Sequence, residues 1–563
     1  MRTRTPLRAI GTFLLVCSLL CPLGSQAQAP APDPRVAVLT YLDRMEAFGF
    51  AGGVGVIFEG ETMFARGLGY AYLETSQDFT PETGFFIASV SKQFTAALIL
   101  ALEDRGLLNT EHSIGTYVDD VPPGMASVTI HHLLSHTSGL LRLEGDSEHL
   151  ADGEAVLAAG LRAGLEYEPG SRFDYSNAGY AFLAALAERV GRKSYEALTR
   201  EFLFEPAGMD ATSVVTEAAF WEDRPLSTGY NGFLPQGTAV LDRPYGRELI
   251  GPAGIVTTID DMLRWEVALQ EGVVLSDARS RKFFTPVLDN YAYGWSVWES
   301  QLAGERVAGH DGHIMPEGFN CYYIRLLDSK TAVIVFASRG DVALAERLAW
   351  ALVTILQGKA SPEVPEVGPS TRTPQPGRYT AVDGAGIRVH RAGDQLSVEP
   401  LNQAAANLFL EDTVAATRAT SLVERLLRSG EGDGAGALAG TIAAAEAQSP
   451  WYGAYGGQEV VYSVQEDGFV RTHLRHFLGT DTLYTRLDLI EGEVVGGTDE
   501  AAFISGGRGL TPTLAYLGMA PARGREWTVY DFWGQRGVTV TVEERALAVH
   551  SGDRVVRLRA ESP

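Results

Sequence analysis

Ser89 and Lys92 are the first residues in the chain whose types and spacing could support nucleophilic chemistry. They lie three positions apart in the segment from Phe86 to Phe94, where an apolar run passes into a helical pattern. Side chains at this spacing share one face of a helix, so a hydroxyl and an ammonium group would lie side by side as a nucleophile and its base. The alternative is that Ser89 caps the helix and Lys92 is solvated, which a Ser-x-x-Lys pattern alone leaves open.

Two later motifs carry side chains that could complete such a site. Tyr175 and Asn177 flank one residue of an extended or turn segment, so both side chains can point the same way. The alternative is that Tyr175 packs in the core and Asn177 caps the following helix. His310 and Gly312 are expected at the start of a strand, where glycine lets backbone N–H groups approach a ligand closely.

Two other patterns favour structural roles. His132 and His136 have the spacing of metal ligands on a helix, but Leu133 stands where the metalloprotease pattern requires glutamate. Packing and turn hydrogen bonds are the favoured roles for both histidines. Cys321 lies in a strand-like apolar run and is expected to be a buried small residue rather than a nucleophile.

Hydrophobic periodicity predicts the elements that would position these motifs. We expect a hairpin formed by residues 53–60 and 62–68, and further strands at 319–327 and 331–338. Helical patterns cover residues 36–48, the segment from Ser89 to a stop at Gly106, and residues 181–190 and 343–356.

Composition describes a globular chain with more than one domain. Its 563 residues exceed one ordinary domain, and 45% hydrophobic with 21% charged residues is typical of folded proteins. A net charge of −24 argues against nucleic acid or an anionic membrane surface as a partner. No stretch beyond the N-terminus has the apolar length of a membrane span.

The N-terminal residues predict export. Residues 1–29 combine arginines, a short apolar run and small residues ending at Ala27 or Ala29, as in a secretory signal peptide. We therefore expect a periplasmic or extracellular protein in which Cys321 is the one cysteine left after cleavage. An internal disulfide is then excluded, so the hydrophobic core must stabilise the fold without one.

Proline content predicts the domain organisation. Residues 359–376 are Pro-rich and lose the apolar period, which predicts a linker. The linker would separate a first domain at residues 30–358 from a C-terminal, mostly-β domain at residues 377–563. Short alternating strands between turns indicate the β content of the second domain, and Ala/Leu-rich periodicity predicts a helical insertion near 415–447.

In this order, the three motifs closely resemble those of the serine beta-lactamase and penicillin-binding protein superfamily. The resemblance is to its class C-like branch, which includes beta-lactamases, D-Ala-D-Ala carboxypeptidases, D-aminopeptidases and esterases, and it covers roughly residues 36–357. It implies an α/β (α+β) fold with an antiparallel sheet flanked by helices, and an all-helical subdomain that leaves the site in between. For the C-terminal domain we expect a β-barrel or a lipocalin-like module.

The resemblance also implies roles for the motif residues. Ser89 would form an acyl-enzyme while Lys92 and Tyr175 move protons, and which of these two is the base stays open. Backbone N–H groups of Ser89 and His313 would form the oxyanion hole, and Asn177 would orient the substrate amide and the lysine. The implied substrate-binding residues are Asn177, His310, Gly312 and His313. No metal or organic cofactor is expected, and the substrate would be a small molecule or peptide, with cell-wall material among the candidates.

The third motif departs from the lactamase pattern, which has Lys-Thr/Ser-Gly. The corresponding residues here are His310, Asp311 and Gly312, and a histidine with a normal pKa near 6.5 is mostly neutral at pH 7. We expect anionic substrates, beta-lactams included, to be handled poorly, so an esterase or D-amino-acid peptidase is favoured over an efficient beta-lactamase. One alternative is that Asp311 points away from the site and Arg325 or Arg339 supplies the missing charge. Another is that the protein is a penicillin-binding sensor that acylates slowly or is inactive.

Overall fold

The structure is a computed structural model that describes most of the chain between residues 33 and 561. The predicted signal peptide at residues 1–29 lies outside the described residues, as does the predicted insertion near 415–447 except for residue 423. None of the described helices is both long and apolar enough to cross a membrane. The described ranges are 33–141, 152–231, 234–238, 241, 245–314, 318–339, 344–410, 423, 455–466, 469–478, 481–490, 493–497, 517–531, 536–551 and 554–561.

Strands of the N-terminal half are short except where they build its main sheet. The predicted hairpin and the strand after Lys330 are confirmed to within two residues. In chain order these strands are β1 (Gly52–Phe58), β2 (Glu61–Leu68), β3 (Tyr70–Tyr72), β4 (Gln77–Asp78), β5 (Phe85–Phe86), β6 (Ser213–Val214), β7 (Gly229–Asn231), β8 (Leu234–Gly237), β9 (Ile255–Thr257), β10 (Ser296–Ser300), β11 (Glu305–Ile314), β12 (Phe319–Leu326) and β13 (Thr331–Ala337).

Several helices of this half begin after a residue whose side chain caps the first turn. Asp33, Ser176 and Thr258, for example, each accept a hydrogen bond from a backbone N–H group of the first helical turn. The helices are α1 (Pro34–Ala47), α2 (Lys92–Asp104), α3 (Ile130–Leu134), α4 (Gly153–Ala163), α5 (Asn177–Gly191), α6 (Tyr195–Thr199), α7 (Glu205–Ala207), α8 (Ile250–Ala253), α9 (Ile259–Gln270), α10 (Asp277–Phe283) and α11 (Leu344–Leu356).

A six-stranded antiparallel sheet separates two hydrophobic cores. Its strand order is β10-β11-β12-β13-β1-β2. Along β13 the side chains alternate between the cores: Ile334 and Phe336 pack with α2, α5 and α9, whereas Val333 and Val335 pack with α1 and α11. Because both faces are covered, β13 is buried throughout and reads as a continuous apolar run. The expected antiparallel sheet flanked by helices is confirmed.

The C-terminal region forms an eight-stranded antiparallel barrel, one of the two architectures expected from the sequence. Its strand order is β14-β15-β16-β21-β22-β23-β24-β25, and β14 closes on β25 through pairs such as Tyr379 with Ala560. Strands β17–β20 form a separate four-stranded sheet. The elements are β14 (Gly377–Thr380), β15 (Gly386–Ala392), β16 (Gln395–Pro400), α12 (Gln403–Phe409), β17 (Tyr455–Glu466), β18 (Phe469–Leu478), β19 (Asp481–Ile490), β20 (Glu493–Gly497), β21 (Leu517–Arg523), β22 (Glu526–Asp531), β23 (Arg536–Val542), β24 (Ala546–Ser551) and β25 (Arg554–Ala560).

The barrel packs against the N-terminal half. The rings of Tyr530 and Phe48 are in contact, with 5.3 Å between their centroids and a tilt of 45°. Both residues belong to the core beneath α1 and α11. The turn between β15 and β16 adds polar contacts, including a 2.7 Å hydrogen bond from the Tyr70 hydroxyl to Asp394. No helix or strand lies between α11 and β14. The domain boundaries drawn from the sequence remain predictions.

Candidate active site

Ser89 lies in a strained turn between β5 and α2. The turn is a 3₁₀-helix, Ala88–Ser91, so α2 begins at Lys92 and not at Ser89 as the sequence suggested. Ala88 has φ of +44°, a left-handed conformation that costs a non-glycine residue about 1 kcal/mol. The surrounding packing imposes this conformation, which presents a half-buried Ser89 side chain at the N-terminal end of α2.

Lys92 is fully buried and points back at the serine. Its Nζ donates to Ser89 Oγ at 3.1 Å and to the Pro252 carbonyl oxygen at 3.0 Å. Burial lowers the lysine pKa from 10.5 to about 7, and the negative charge of Asp311 acts in the opposite direction. The side-by-side hydroxyl and amine predicted from the spacing are therefore present, and the solvated alternative is not observed.

The glycine-rich segment around Pro252 holds the first turn of α2. Thr95 Oγ1 donates to the Gly251 carbonyl oxygen at 2.7 Å, and the Ile255 N–H donates to Ser91 Oγ at 3.0 Å. The sequence motifs assign no role to the carbonyl groups of this segment. Proline and glycine identify a turn, but they do not indicate which distant side chain its oxygens will face.

Tyr175 lies beside both Lys92 and Ser89. The Lys92 Nζ is 4.6 Å from the centroid of the Tyr175 ring, within the range of a cation–π contact. The side chain is 36% exposed, yet burial around the hydroxyl raises the tyrosine pKa far above 10, with Ser89 lowering it in part. Tyr175 is thus a neutral phenol at neutral pH.

Asn177 occupies a different position from the one expected. It is the first residue of α5 and is exposed, and its side chain forms no hydrogen bond with Lys92, whose two described acceptors are Ser89 and Pro252. The helix cap is Ser176, whose Oγ accepts from the Gly179 N–H at 3.2 Å. The alternative prediction that Asn177 caps the helix is therefore wrong, because the helix begins at Asn177, one residue earlier than that assignment requires.

His310 forms part of the wall beside Tyr175, with 6.1 Å between ring centroids. It lies well inside β11 and not at the strand start that the sequence suggested. Nδ1 is 2.6 Å from the Asp311 carbonyl oxygen, which can only accept, so Nδ1 carries the proton and Nε2 accepts from the Tyr291 hydroxyl at 3.1 Å. Burial lowers the His310 pKa below 6.5, so the ring is neutral at pH 7.

Gly312 brings β11 into backbone contact with the Ser89 turn. A Cβ at this position would lie 2.2 Å from the Ile87 carbonyl oxygen and 2.6 Å from Cys321 Sγ. Cys321 is buried, as expected, and its thiol donates to the same carbonyl at 3.1 Å. The pairing between β10 and β11 ends at Gly309. The described residues of β11 after Gly309 therefore have no β10 partner on that edge, and this part of the strand faces the turn.

Asp311 and His313 form a polar pair on the opposite face of β11. His313 Nδ1 and Asp311 Oδ2 are 3.1 Å apart, and the aspartate side chain is 50% exposed. Burial raises the Asp311 pKa, but the hydrogen bond with His313 and the charges of His310 and His313 outweigh it, so the net pKa falls below 3.8. Asp311 is therefore a carboxylate at neutral pH.

The two arginines considered as substitute cations have other partners. Arg325 Nε lies 2.7 Å from Glu266 Oε2, and both side chains are buried. Arg339 Nη2 donates to Gln395 of the barrel at 2.8 Å. These contacts do not favour the alternative that either arginine supplies a positive charge beside Ser89.

The two histidines with metal-ligand spacing bind the backbone. His132 Nδ1 accepts from the Thr129 N–H at 3.3 Å in the capping box of α3, and His136 Nδ1 accepts from the Ser176 N–H at 3.0 Å. Among the described residues, no group of three or more acidic, histidine or cysteine side chains could hold a metal ion.

The region that carries these residues matches a known family. The sequence profile of the Beta-lactamase family matches residues 43–356, more than half of the 563 residues. The chain belongs to the Beta-lactamase family. It is a serine hydrolase of the beta-lactamase and penicillin-binding type, homologous to D-aminopeptidases.

Two curated relatives illustrate the range of this family. Penicillin-binding protein 4* of Bacillus subtilis (strain 168) is 28% identical over 393 residues, which cover 64% of this chain and 86% of the relative. A D-aminopeptidase of Gluconobacter oxydans (strain 621H) is 28% identical over 340 residues, which cover 56% of this chain and 62% of the relative.

Solved structures share the fold. The octameric penicillin-binding protein homologue from Pyrococcus abyssi aligns over 94% of this chain and 100% of its own, with a TM-score of 0.51 and 18% identity. D-amino acid amidase from Ochrobactrum anthropi SV3, complexed with D-phenylalanine, aligns over 58% of this chain and 99% of its own, with a TM-score of 0.50 and 22% identity. At these identities the likeness concerns the fold alone.

Gly312→Ala is expected to lower kcat/KM about 100-fold. The added methyl group would push β11 away from the Ser89 turn. A displacement of about 1 Å at a reacting centre reduces the rate by a factor of this size. The matched control is Gly124→Ala, where no atom lies within 4 Å of the added carbon. Steady-state kinetics and thermal unfolding of both variants check this. Full activity of a folded Gly312→Ala variant would contradict the close contact.

Proposed function

We propose that the protein hydrolyses an ester or amide through a covalent acyl-enzyme on Ser89. The observation that carries the proposal is the 3.1 Å contact between the Ser89 hydroxyl and the buried Lys92 amine, whose pKa burial lowers to about 7. At neutral pH a large share of such an amine is unprotonated and can accept a proton. A capping serine beside a solvated lysine would lack both properties.

Each proton in the proposed reaction has a carrier. Ser89 Oγ attacks the substrate carbonyl carbon while its proton passes to the Lys92 amine. The bond to the leaving group breaks as the Tyr175 phenol, which burial keeps neutral, donates its proton to the leaving group. The Lys92 ammonium group then passes the serine proton to the Tyr175 oxygen, which restores the phenol and the free amine. In deacylation, water attacks the acyl-enzyme ester while one of its protons passes to the Lys92 amine, and Lys92 returns that proton to Ser89 Oγ as the acid leaves. We thus favour Lys92 as the base and Tyr175 as the proton donor.

The backbone N–H groups of Ser89 and His313 are proposed to bind the oxyanion. Support comes from the contact of Gly312 with the Ile87 carbonyl, which brings the unpaired edge of β11 against the Ser89 turn. Each donor lost from such a site costs about 3 kcal/mol of transition-state stabilisation.

The proposed substrates lack a carboxylate next to the reacting carbonyl group. The neutral His310 ring offers no cation, and the ionised Asp311 repels an anion. Relatives named D-aminopeptidase support amides of D-amino acids as one such class. We propose an esterase or D-amino-acid peptidase in preference to an efficient beta-lactamase or a carboxypeptidase.

A penicillin-binding sensor is the second candidate. It is supported by the similarity to a relative named penicillin-binding protein. Against it stands the buried low-pKa amine of Lys92, since a receptor that never turns over substrate does not need an activated base.

We also propose that the protein is exported after cleavage of residues 1–29, which supports a role on periplasmic or extracellular material, including cell-wall fragments. Mass spectrometry of the chain secreted by a Gram-negative host should find a first residue directly after Ala27 or Ala29. A Leu15→Arg control, which interrupts the apolar run, should stay uncleaved in the cytoplasm. An unprocessed wild-type chain would rule out this export route.

A fluorescent fluorophosphonate probe should label the wild-type protein and a Ser329→Ala control, but not Ser89→Ala, because Ser89 is the only serine in the described part of the chain that is paired with a buried amine. In a panel of nitrocefin, a D-Ala-D-Ala peptide, a D-amino-acid anilide and an aryl ester, we expect the neutral or cationic substrates to exceed the two anionic ones by about tenfold or more in kcat/KM. Labelling without turnover would favour the sensor, and comparable nitrocefin turnover would overturn the substrate preference.

The pH dependence should report the state of Lys92. Because the neutral amine is the proposed base, kcat/KM should rise with pH through an apparent pKa of about 7. Asp311→Asn removes a charge that raises the Lys92 pKa, so the rising limb should move to lower pH. Asp328→Asn, in the exposed turn after β12, is the matched control and should not move it. A limb that stays in place or moves to higher pH in Asp311→Asn would exclude Lys92 as the titrating base.

A further inference from the structure

His136 has an unusual combination of strain and burial next to the candidate site. Its backbone has φ of +56°, and its side chain is only 1% exposed. Histidine is one of the few residue types that adopt the left-handed region readily. A buried polar ring requires hydrogen-bond partners that offset the free energy of its desolvation. The partners of His136 lie on both sides of Tyr175 in the chain.

The residue binds the chain immediately before and after Tyr175. The Asp174 N–H donates to the His136 carbonyl oxygen at 2.8 Å. The Ser176 N–H donates to His136 Nδ1 at 3.0 Å. His136 therefore accepts hydrogen bonds from the Phe173–Asp174 and Tyr175–Ser176 peptide groups, one on each side of the tyrosine, which leaves its side chain little freedom of direction.

The imidazole ring also packs on the phenol. Ring centroids of His136 and Tyr175 are 4.3 Å apart, and the Tyr291 ring lies 4.6 Å away from His136 on another side. Since Nδ1 accepts a hydrogen bond, the neutral ring carries its proton on Nε2, which has no hydrogen-bond partner in the described chain. Burial first, and then the charges of Lys92 and His310, lower the His136 pKa well below 6.5.

We propose that His136 is a positioning residue that holds the Tyr175 phenol in reach of Ser89 through its backbone carbonyl, its Nδ1 acceptor and its ring. The inference rests on the proposed role of Tyr175 as the proton donor. His136 itself touches no reacting atom and acts through the tyrosine. Neutrality of the ring is part of the role, because a protonated Nδ1 could no longer accept the Ser176 N–H.

Two substitutions separate the acceptor from the ring. His136→Asn tolerates the left-handed backbone and places an amide oxygen near the position of Nδ1, but it loses the ring. His136→Phe keeps the ring and loses the acceptor. We expect the acylation rate constant of His136→Phe to fall about 10- to 100-fold, the range for a lost buried hydrogen bond, while His136→Asn retains most of it. A larger loss in Asn than in Phe would overturn the assigned acceptor role.

A double-mutant cycle with Tyr175→Phe tests whether His136 acts through the tyrosine. If it does, His136→Phe should have little further effect on acylation in the Tyr175→Phe background. Equal effects in both backgrounds would overturn the proposal, because His136 would then act independently of the phenol. Stopped-flow acylation by an aryl ester measures all four proteins, and thermal unfolding verifies that they fold.

Hydrogen–deuterium exchange gives a readout that needs no turnover. The Ser176 amide should lose protection in His136→Phe and keep it in His136→Asn, because only the latter retains an acceptor. If the wild-type protein acylates no substrate, the proposed function fails, but the exchange experiment still tests the positioning role. Unchanged protection in His136→Phe would contradict it.

Discussion

Burial of the Lys92 ammonium group is the constraint on which the site depends. A cation removed from water must be paired or must give up its proton more readily. Its two hydrogen-bond acceptors here are neutral, the Ser89 hydroxyl and the Pro252 carbonyl, and the Asp311 carboxylate acts only through space. The lysine pKa therefore falls to about 7, while the same desolvation keeps the Tyr175 phenol protonated. One physical cause thus favours an unprotonated amine and a protonated phenol beside the same serine.

Such burial requires the backbone to approach the lysine closely from several directions. Gly294 has φ of +77°, and a Cβ on it would lie 2.7 Å from the Gln93 nitrogen, so only glycine fits there. Gly312 makes a similar approach to the Ile87 carbonyl from β11. Placing Ser89 between these two segments requires the strained left-handed backbone conformation of Ala88. The hydrophobic core on this side of the sheet must supply the free energy that holds the turn.

The sequence predicts a side-chain contact in the candidate site where the two residues are close in the chain, and it fails where the contact joins distant parts of the chain. Ser89 and Lys92 are one turn apart, so their contact follows from helical spacing. The acceptor at Pro252 lies 160 positions from Lys92, and no periodicity connects them. Similarly, alternation predicts the strands of the barrel, but its closure joins Tyr379 to Ala560 across the whole domain. Serine and asparagine are both favoured N-cap residues, so residue type alone cannot decide whether Ser176 or Asn177 is the N-cap of α5.

In the proposed reaction, the electrostatics that would activate the base would also select substrates at the rim of the site. Both nitrogens of the neutral His310 ring are engaged, so the ring offers no cation, and Asp311 adds a negative charge. A substrate anion placed beside Asp311 would be repelled, and it would also stabilise the charged form of Lys92. The lysine pKa would then rise and less of the free base would be present. A neutral substrate avoids both effects and an ammonium group reverses them, so binding and proton transfer favour the same substrates.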